Sequence, residues 1–275
     1  MPRPAPRWTA AAALLAAGGA GLCEAGAWTP ERGSLYARYA VEMFTSTEDF
    51  DAEGDSRARA DGSRFTDRAG SWYVEYGLRD RLAFVGGFAY KRVATDLDGA
   101  TRANTGLGDA ELALRYNFLR GRAVMSAQLA AKLPYAYERN DGIALGNGQE
   151  DYEVRILLGK GGRGAYVGVE GGYRFRTESP ADQIRYLVEV GVNAGRRWSF
   201  RTKLSGDESR GEPASVSRRL ENPMLSEDYD LGRWEATASL HVSDRWSAEL
   251  TRVAFPYGRG IGAGESWQIA VALRP

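Results

Sequence analysis

The sequence predicts an all-β protein: a closed antiparallel transmembrane β-barrel of about 12 strands, with short periplasmic turns and longer extracellular loops. Three observations predict it. Segments of eleven to thirteen residues repeat with period-two apolar alternation, their connections alternate short and long along the chain, and aromatic residues gather near the segment ends.

The amino terminus stands apart. "MPRPAPRWT" supplies two arginines, an alanine- and leucine-rich run follows, and "AGA" at Ala25 to Ala27 fits a small-x-small cleavage site. Residues 1–27 therefore read as a signal peptide cut before Trp28, leaving residues 28–275 as a single barrel domain. Cys23 is preceded by Leu22, where a lipoprotein site wants Gly or Ala, and it leaves with the leader. A mature chain without cysteine must be held by its hydrogen-bond ladder and its packing.

Twelve strands follow. The first half comprises residues 33–43, 68–78, 81–92, 107–118, 123–134 and 150–160; the second comprises 164–176, 182–194, 197–207, 231–242, 245–256 and 264–274. In 107–118, Ala110, Leu112, Leu114, Tyr116 and Phe118 oppose Glu111, Arg115 and Asn117. In 150–160, Tyr152, Val154, Ile156 and Leu158 oppose Glu153 and Arg155, and in 182–194, Ile184, Tyr186, Val188, Val190 and Val192 oppose Arg185, Glu189 and Asn193. Segment 245–256 is less regular: Trp246, Ala248 and Leu250 lead into Arg252. That places either a snorkelling arginine or a register-changing bulge there, and the bulge is the preferred reading.

The connections at 79–80, 119–122, 161–163, 195–196 and 243–244 are short, and those at 44–67, 93–106, 135–149 and 208–230 are long. Those at 177–181 and 257–263 are intermediate and fall in the long series. This parity puts both termini on the short-turn side, as outer-membrane barrels have them. Loops 44–67 and 208–230, rich in Asp, Glu, Ser, Gly and Arg, read as solvated and mobile. Tyr36, Trp72, Tyr116, Tyr152, Tyr173, Trp198, Trp234, Trp246 and Trp267 read as interfacial girdles.

Composition sets the outer limits. The chain has 275 residues, 43% hydrophobic and 26% charged, and its mean hydropathy of -0.42 argues against a helical membrane protein. It does not argue against a barrel, in which only alternate residues meet lipid. A formal charge of +0 with no basic block gives no footprint for nucleic acid.

With the apolar register toward lipid, the other register lines the lumen. It holds Arg38, Glu42, Glu75, Glu111, Arg115, Lys132, Glu153, Arg155, Glu170, Arg174, Arg185, Glu189, Arg201, Lys203, Glu235 and His241, with Glu249 less firmly placed. Charges inside need water or each other, and Arg38/Glu42 and Glu153/Arg155 are expected pairs. Two readings follow: a cross-linking network that stiffens the wall, or a polar conduit whose near-neutral lining suits an uncharged or zwitterionic solute. Tyr36, Tyr73 and Tyr166 also fall inward and sketch an aromatic track.

No catalytic constellation emerges. His241 is the one histidine, and Ser239 and Glu235 share its face, but it lies inside near the periplasmic turn, so a lumen-lining role is the reading. "DLDG" at 96–99 and "FDAEGD" at 50–55 offer oxygen ligands without an EF-hand spacing, and no zinc set exists. "GKGGRG" at 159–164 lacks the P-loop order and reads as a turn. No metal and no cofactor are expected.

The segments "WYVEYGLRDRLAFVGGFAYKR", "GLGDAELALRYNFL", "GQEDYEVRILLGKG" and "EGGYRFR" together resemble the XagA-like outer-membrane proteins, near the meta-pathway phenol-degradation barrels. The resemblance implies a bacterial outer-membrane barrel. It links the first group to exopolysaccharide production and the second to import of hydrophobic aromatic compounds. The expected function is a channel or transporter for polar small solutes or saccharides. The alternatives are a structural or loop-binding barrel and an aromatic-compound importer. The expected partners are membrane lipid, lipopolysaccharide and such a solute.

Overall fold

The computed structural model describes residues 26–134, 136–137, 142–162, 164–178, 180–213 and 222–274. The expected leader lies outside the described residues, apart from Gly26 and Ala27.

The strands are β1 (Leu35–Phe50), β2 (Ser56–Ala58), β3 (Arg64–Arg79), β4 (Leu82–Leu97), β5 (Ala100–Leu107), β6 (Ala110–Leu119) and β7 (Ala123–Leu133). They continue as β8 (Asp151–Gly161), β9 (Ala165–Arg176), β10 (Gln183–Ala194), β11 (Trp198–Ser209), β12 (Asp230–His241), β13 (Trp246–Arg259) and β14 (Ile261–Leu273). Each barrel strand pairs antiparallel with its neighbours, and β14 pairs back onto β1 from Ala37↔Leu273 to Phe50↔Ile261, closing the sheet. The barrel has 12 staves, because β5 and β6 form one. β6 pairs with β4 from Leu82 to Gly87 and β5 from Tyr90 to Leu97. The stave breaks at Gly108, whose N–H donates to Ala89 O at 2.9 Å. β2 is a short strip inside the first long connection, paired to the end of β1.

The alternation of the sequence becomes two faces. Leu112, Leu114, Tyr116 and Phe118 of β6, Tyr152 to Leu158 in alternation on β8, and Val188, Val190 and Val192 of β10 are all exposed on the outside. Leu129 and Ile269 reach 62% and 67% exposure. Such a continuous apolar belt is untenable in water and is the contact surface a bilayer requires. A closed ladder satisfies every backbone group within it, so this chain is a transmembrane barrel of the outer-membrane type.

Glycines let aromatic rings lie against the wall. A Cβ at Gly191 would stand 2.1 Å from the Tyr166 ring directly across the ladder, and Gly232 relates to Tyr257 in the same way. The ring fills the space a side chain would occupy and stiffens that pair of strands.

Several expectations need correction. The connection expected over 44–67 is shorter: β1 runs to Phe50 and β3 starts at Arg64, and while most of 51–62 is exposed, Ser46, Phe50, Arg59, Ser63 and Phe65 are buried. Residues 93–106 are mostly a hairpin that turns at Asp98 and Gly99, both with positive φ; that turn accounts for "DLDG". Residues 257–263 likewise turn tightly at Gly260, φ +64. Strands that project beyond lipid need no apolar face, so they carry no alternation to read.

Arg252 stays in the outward register. It donates to Glu265 Oε2 at 2.6 Å and lies 5.8 Å over the Trp267 ring. The expected bulge does occur in this strand but three residues on: β13 carries one extra residue between Ala254 and Tyr257, opposite Gly232 to Trp234 of β12. Trp72, expected at a strand end, is mid-strand and stacks on Phe88 at 5.0 Å, because β3 begins four residues before the predicted segment. Tyr36 faces inward against Tyr73, 6.2 Å away, and belongs to no girdle.

Candidate functional site: the lumen

Three tiers fill the barrel. At the short-turn end the residues before β1 fold up into it. Ala27 is 1% exposed and packs with Val124, Leu157 and Trp28. Its carbonyl accepts from Ser126 Oγ at 2.5 Å and Asn117 Nδ2 at 3.2 Å. Arg115 donates to Trp28 O at 3.1 Å, and Arg120 to Thr29 Oγ1 at 3.1 Å. Trp28 lies edge-on to Tyr166, 6.1 Å away, over Gly159, where a Cβ would stand 2.5 Å from the indole. Gly77 makes room for Glu31 in the same way. Residues 26–32 therefore act as a stopper seated on wall glycines.

Above it lies a chamber of about 340 Å³. Its charged lining is Glu75, Glu111, Glu170, Glu189 and Glu235 with Arg38, Arg115, Arg155, Arg201 and Lys203, five acids and five bases, so the formal charges cancel. Pairing is mostly between strands. Arg115 meets Glu75 at 3.1 Å, Lys203 meets Glu235 at 2.8 Å, and Arg38 meets Glu249 at 2.8 Å. Arg201 stands 3.8 Å from Glu189 and 3.9 Å from Glu249.

A second charge cluster centres on Glu153, which is 5% exposed. It meets Arg185 at 2.8 Å, Arg174 at 3.2 Å and its near neighbour Arg155. The surplus positive charge is offset by Asp207 on Arg185, Glu170 on Arg155 at 3.4 Å and Glu111 on Arg174 at 4.0 Å. Lys132 joins Asp151 at 2.7 Å and Asp109 at 3.5 Å.

The expected Glu153–Arg155 pair forms; the Arg38–Glu42 pair does not. At about 3.3 Å per residue, positions four apart in a strand are some 13 Å apart, whereas neighbours across the ladder are about 5 Å apart. Arg38 instead reaches over β14 to Glu249 of β13, and Glu42 accepts from Ser266 Oγ at 2.6 Å on the adjacent β14. Glu111 is the most exposed of these carboxylates, its side chain 57% accessible. His241 is half-buried at the short-turn end of β12, opposite Ser247. The inward tyrosines form no track. Tyr73 donates to Glu75 at 2.5 Å, Tyr166 donates to Glu189 at 2.6 Å, and Tyr166 lies beside Trp28.

The third tier is apolar, and the sequence reading missed it. Phe44, Phe65 and Val93 point inward from β1, β3 and β4 and pack with Ile143 and Leu145, with Tyr137, Met224 and Phe255 at the margin. Phe50, Leu231, Ile261 and Ala263 extend this collar. Connections hold it in place. Asn104 Nδ2 donates to Ile143 O and Asn222 Nδ2 to Ala144 O, both at 2.9 Å, and Gly262 N–H donates to Pro223 O at 2.9 Å. Three phenylalanines in a supposedly solvated segment were the overlooked signal. Asp207, in register with Arg201 and Lys203, was a second.

A charge-balanced chamber with residues 26–32 on one side and an apolar collar on the other, inside a lipid-facing wall, defines a lumen-bearing membrane barrel. No protein-family model matches the chain, and no curated protein matches it in sequence. Among solved structures it is similar to the COG4313 outer membrane channel from Pseudomonas putida F1, with TM-score 0.71 and 12% identity over 92% of this chain and 99% of that one. It is also similar to the NanC porin (TM-score 0.52, 8% identity, 88% and 100% covered) and the KdgM porin (0.50, 7%, 87% and 99%). At these identities the likeness is one of fold.

Proposed function

We propose that the protein is an outer-membrane channel for small polar solutes without net charge, seen here with its lumen stoppered. The observation that carries this reading is the chamber of about 340 Å³ lined by five acids and five bases. A lining of paired opposite charges offers donors and acceptors to hydroxyl, amide or zwitterionic solutes and no net attraction for an ion of either sign. The three solved barrels named above are a channel and two porins by name, which supports transport as the class. The XagA-like resemblance fits the saccharide branch, because sugar hydroxyls pair with such a lining.

The test is solute flux into proteoliposomes. Neutral disaccharides and zwitterionic amino acids should enter faster than sugar acids or polyamines of similar size. Faster flux of a charged solute would overturn the reading.

The apolar collar favours a second reading, an importer of hydrophobic aromatic compounds. A solute arriving at the long-loop end passes the charged rim of Asp49, Arg59 and Asp61 and then meets Phe44, Phe65 and Phe255 before the chamber. If an aromatic hydrocarbon crosses faster than the disaccharides in the same assay, that reading replaces the first.

A further inference from the structure

We infer that the mature chain begins at Gly26, and that its α-ammonium group pairs with Glu170 inside the lumen, pinning residues 26–32 as the stopper. Next to this segment two leader sites satisfy the small-x-small rule, Cys23-Glu24-Ala25 before Gly26 and Ala25-Gly26-Ala27 before Trp28; Gly18-Gly19-Ala20 before Gly21 satisfies it further upstream. Packing separates them. A cut before Trp28 removes Ala27, whose carbonyl is the acceptor for Ser126 and Asn117. Those two side chains are 0% and 1% exposed, and buried polar groups stripped of an acceptor are costly. The same cut removes the apolar contact of Ala27 with Val124 and Leu157.

A cut before Gly26 keeps all of this. A Cβ at Gly26 would stand 2.3 Å from Glu170 Oε1 and 3.0 Å from Leu157 Cδ2, so the Cα of Gly26 lies against the carboxylate. Hydrolysis breaks the Ala25–Gly26 amide: water supplies the hydroxyl to Ala25 and a proton to the nitrogen of Gly26. The new ammonium is one bond from that Cα, beside an acid whose other oxygen is 3.4 Å from Arg155. Gly26 lines the chamber.

The experiment uses full-length protein extracted from outer membranes, and none of its readouts depends on transport. Intact mass should give a chain starting at Gly26. A chain shorter by one glycine and one alanine, or one retaining earlier residues, would overturn the assignment. Acylation of the terminal amine at neutral pH should be about tenfold or more slower in the folded barrel than after heat denaturation. Glu170→Gln should bring the folded rate toward the denatured one, with unheated gel migration reporting that the barrel is intact. An unchanged rate would refute the ion pair. Should E170Q fail to fold, Glu170→Asp keeps the charge on a shorter arm and should give an intermediate rate; a rate equal to wild type would count against the pairing.

Discussion

The chamber and the collar are built on one wall by one alternation, yet they are held differently. Chamber charges pair from strand to strand, as Arg115 with Glu75 and Lys203 with Glu235 do, so their positions are fixed by the hydrogen-bond ladder. The collar joins wall to connection: Phe44, Phe65 and Val93 belong to strands, but Ile143, Leu145 and Met224 do not. A ladder opens only at high cost, whereas connections are the low-stability part of a fold. On the proposed function, selectivity would reside in the rigid tier and closure in the movable one.

The largest expected effect tests the rigid tier. Glu153→Ala removes the carboxylate shared by Arg155, Arg174 and Arg185 and leaves each guanidinium with one remaining acid, Glu170, Glu111 or Asp207. Removing one partner of a buried pair costs about 3–5 kcal/mol. Denaturant unfolding followed by gel mobility should show a loss of that size. A loss below about 1 kcal/mol would mean that lumen water screens the cluster as it screens a surface pair.

Next in size is a change in the collar. Leu145→Ala removes a buried side chain that packs on Phe65 and Val93 through a connection. Leu-to-Ala truncations cost about 2–5 kcal/mol, and here the loss should fall on local opening and leave the barrel's global unfolding little changed. In planar bilayers the open fraction should rise while the preference for neutral solutes stays. If selectivity shifts and the open fraction does not, the roles of the two tiers are reversed.

The contrast also explains what the sequence made legible. Lipid imposes alternation on every membrane-spanning stave, so Leu112 to Phe118 and Tyr152 to Leu158 could be read directly, and the opposite register followed. Partners could not be read, because which acid meets which base depends on strand register across the ladder. Arg38 finds Glu249, 211 positions away. Beyond the bilayer no such rule acts. Arg64–Asp67 and Ala100–Leu107 are strands without an apolar face, and Phe44 and Phe65 sat unnoticed among charged neighbours. The stopper at 26–32 was invisible for another reason: cutting before Trp28 divides it.

The smallest effect is expected outside, where the same residue chemistry meets a different solvent. Arg252 and Glu265 form a pair on the outer face with side chains 50% and 59% exposed, beside Trp267. Tryptophan marks the headgroup level, where arginine reaches water along its own stem. Arg252→Met should therefore change stability by less than about 1 kcal/mol, as exposed pairs do. The sign is informative. A lipid-facing arginine at mid-bilayer costs about 2–4 kcal/mol, so a stabilisation of that size in R252M would place residue 252 in the hydrocarbon. The bilayer would then sit higher on the barrel, at the level of the collar, and the collar would close the lumen within the membrane and not above it.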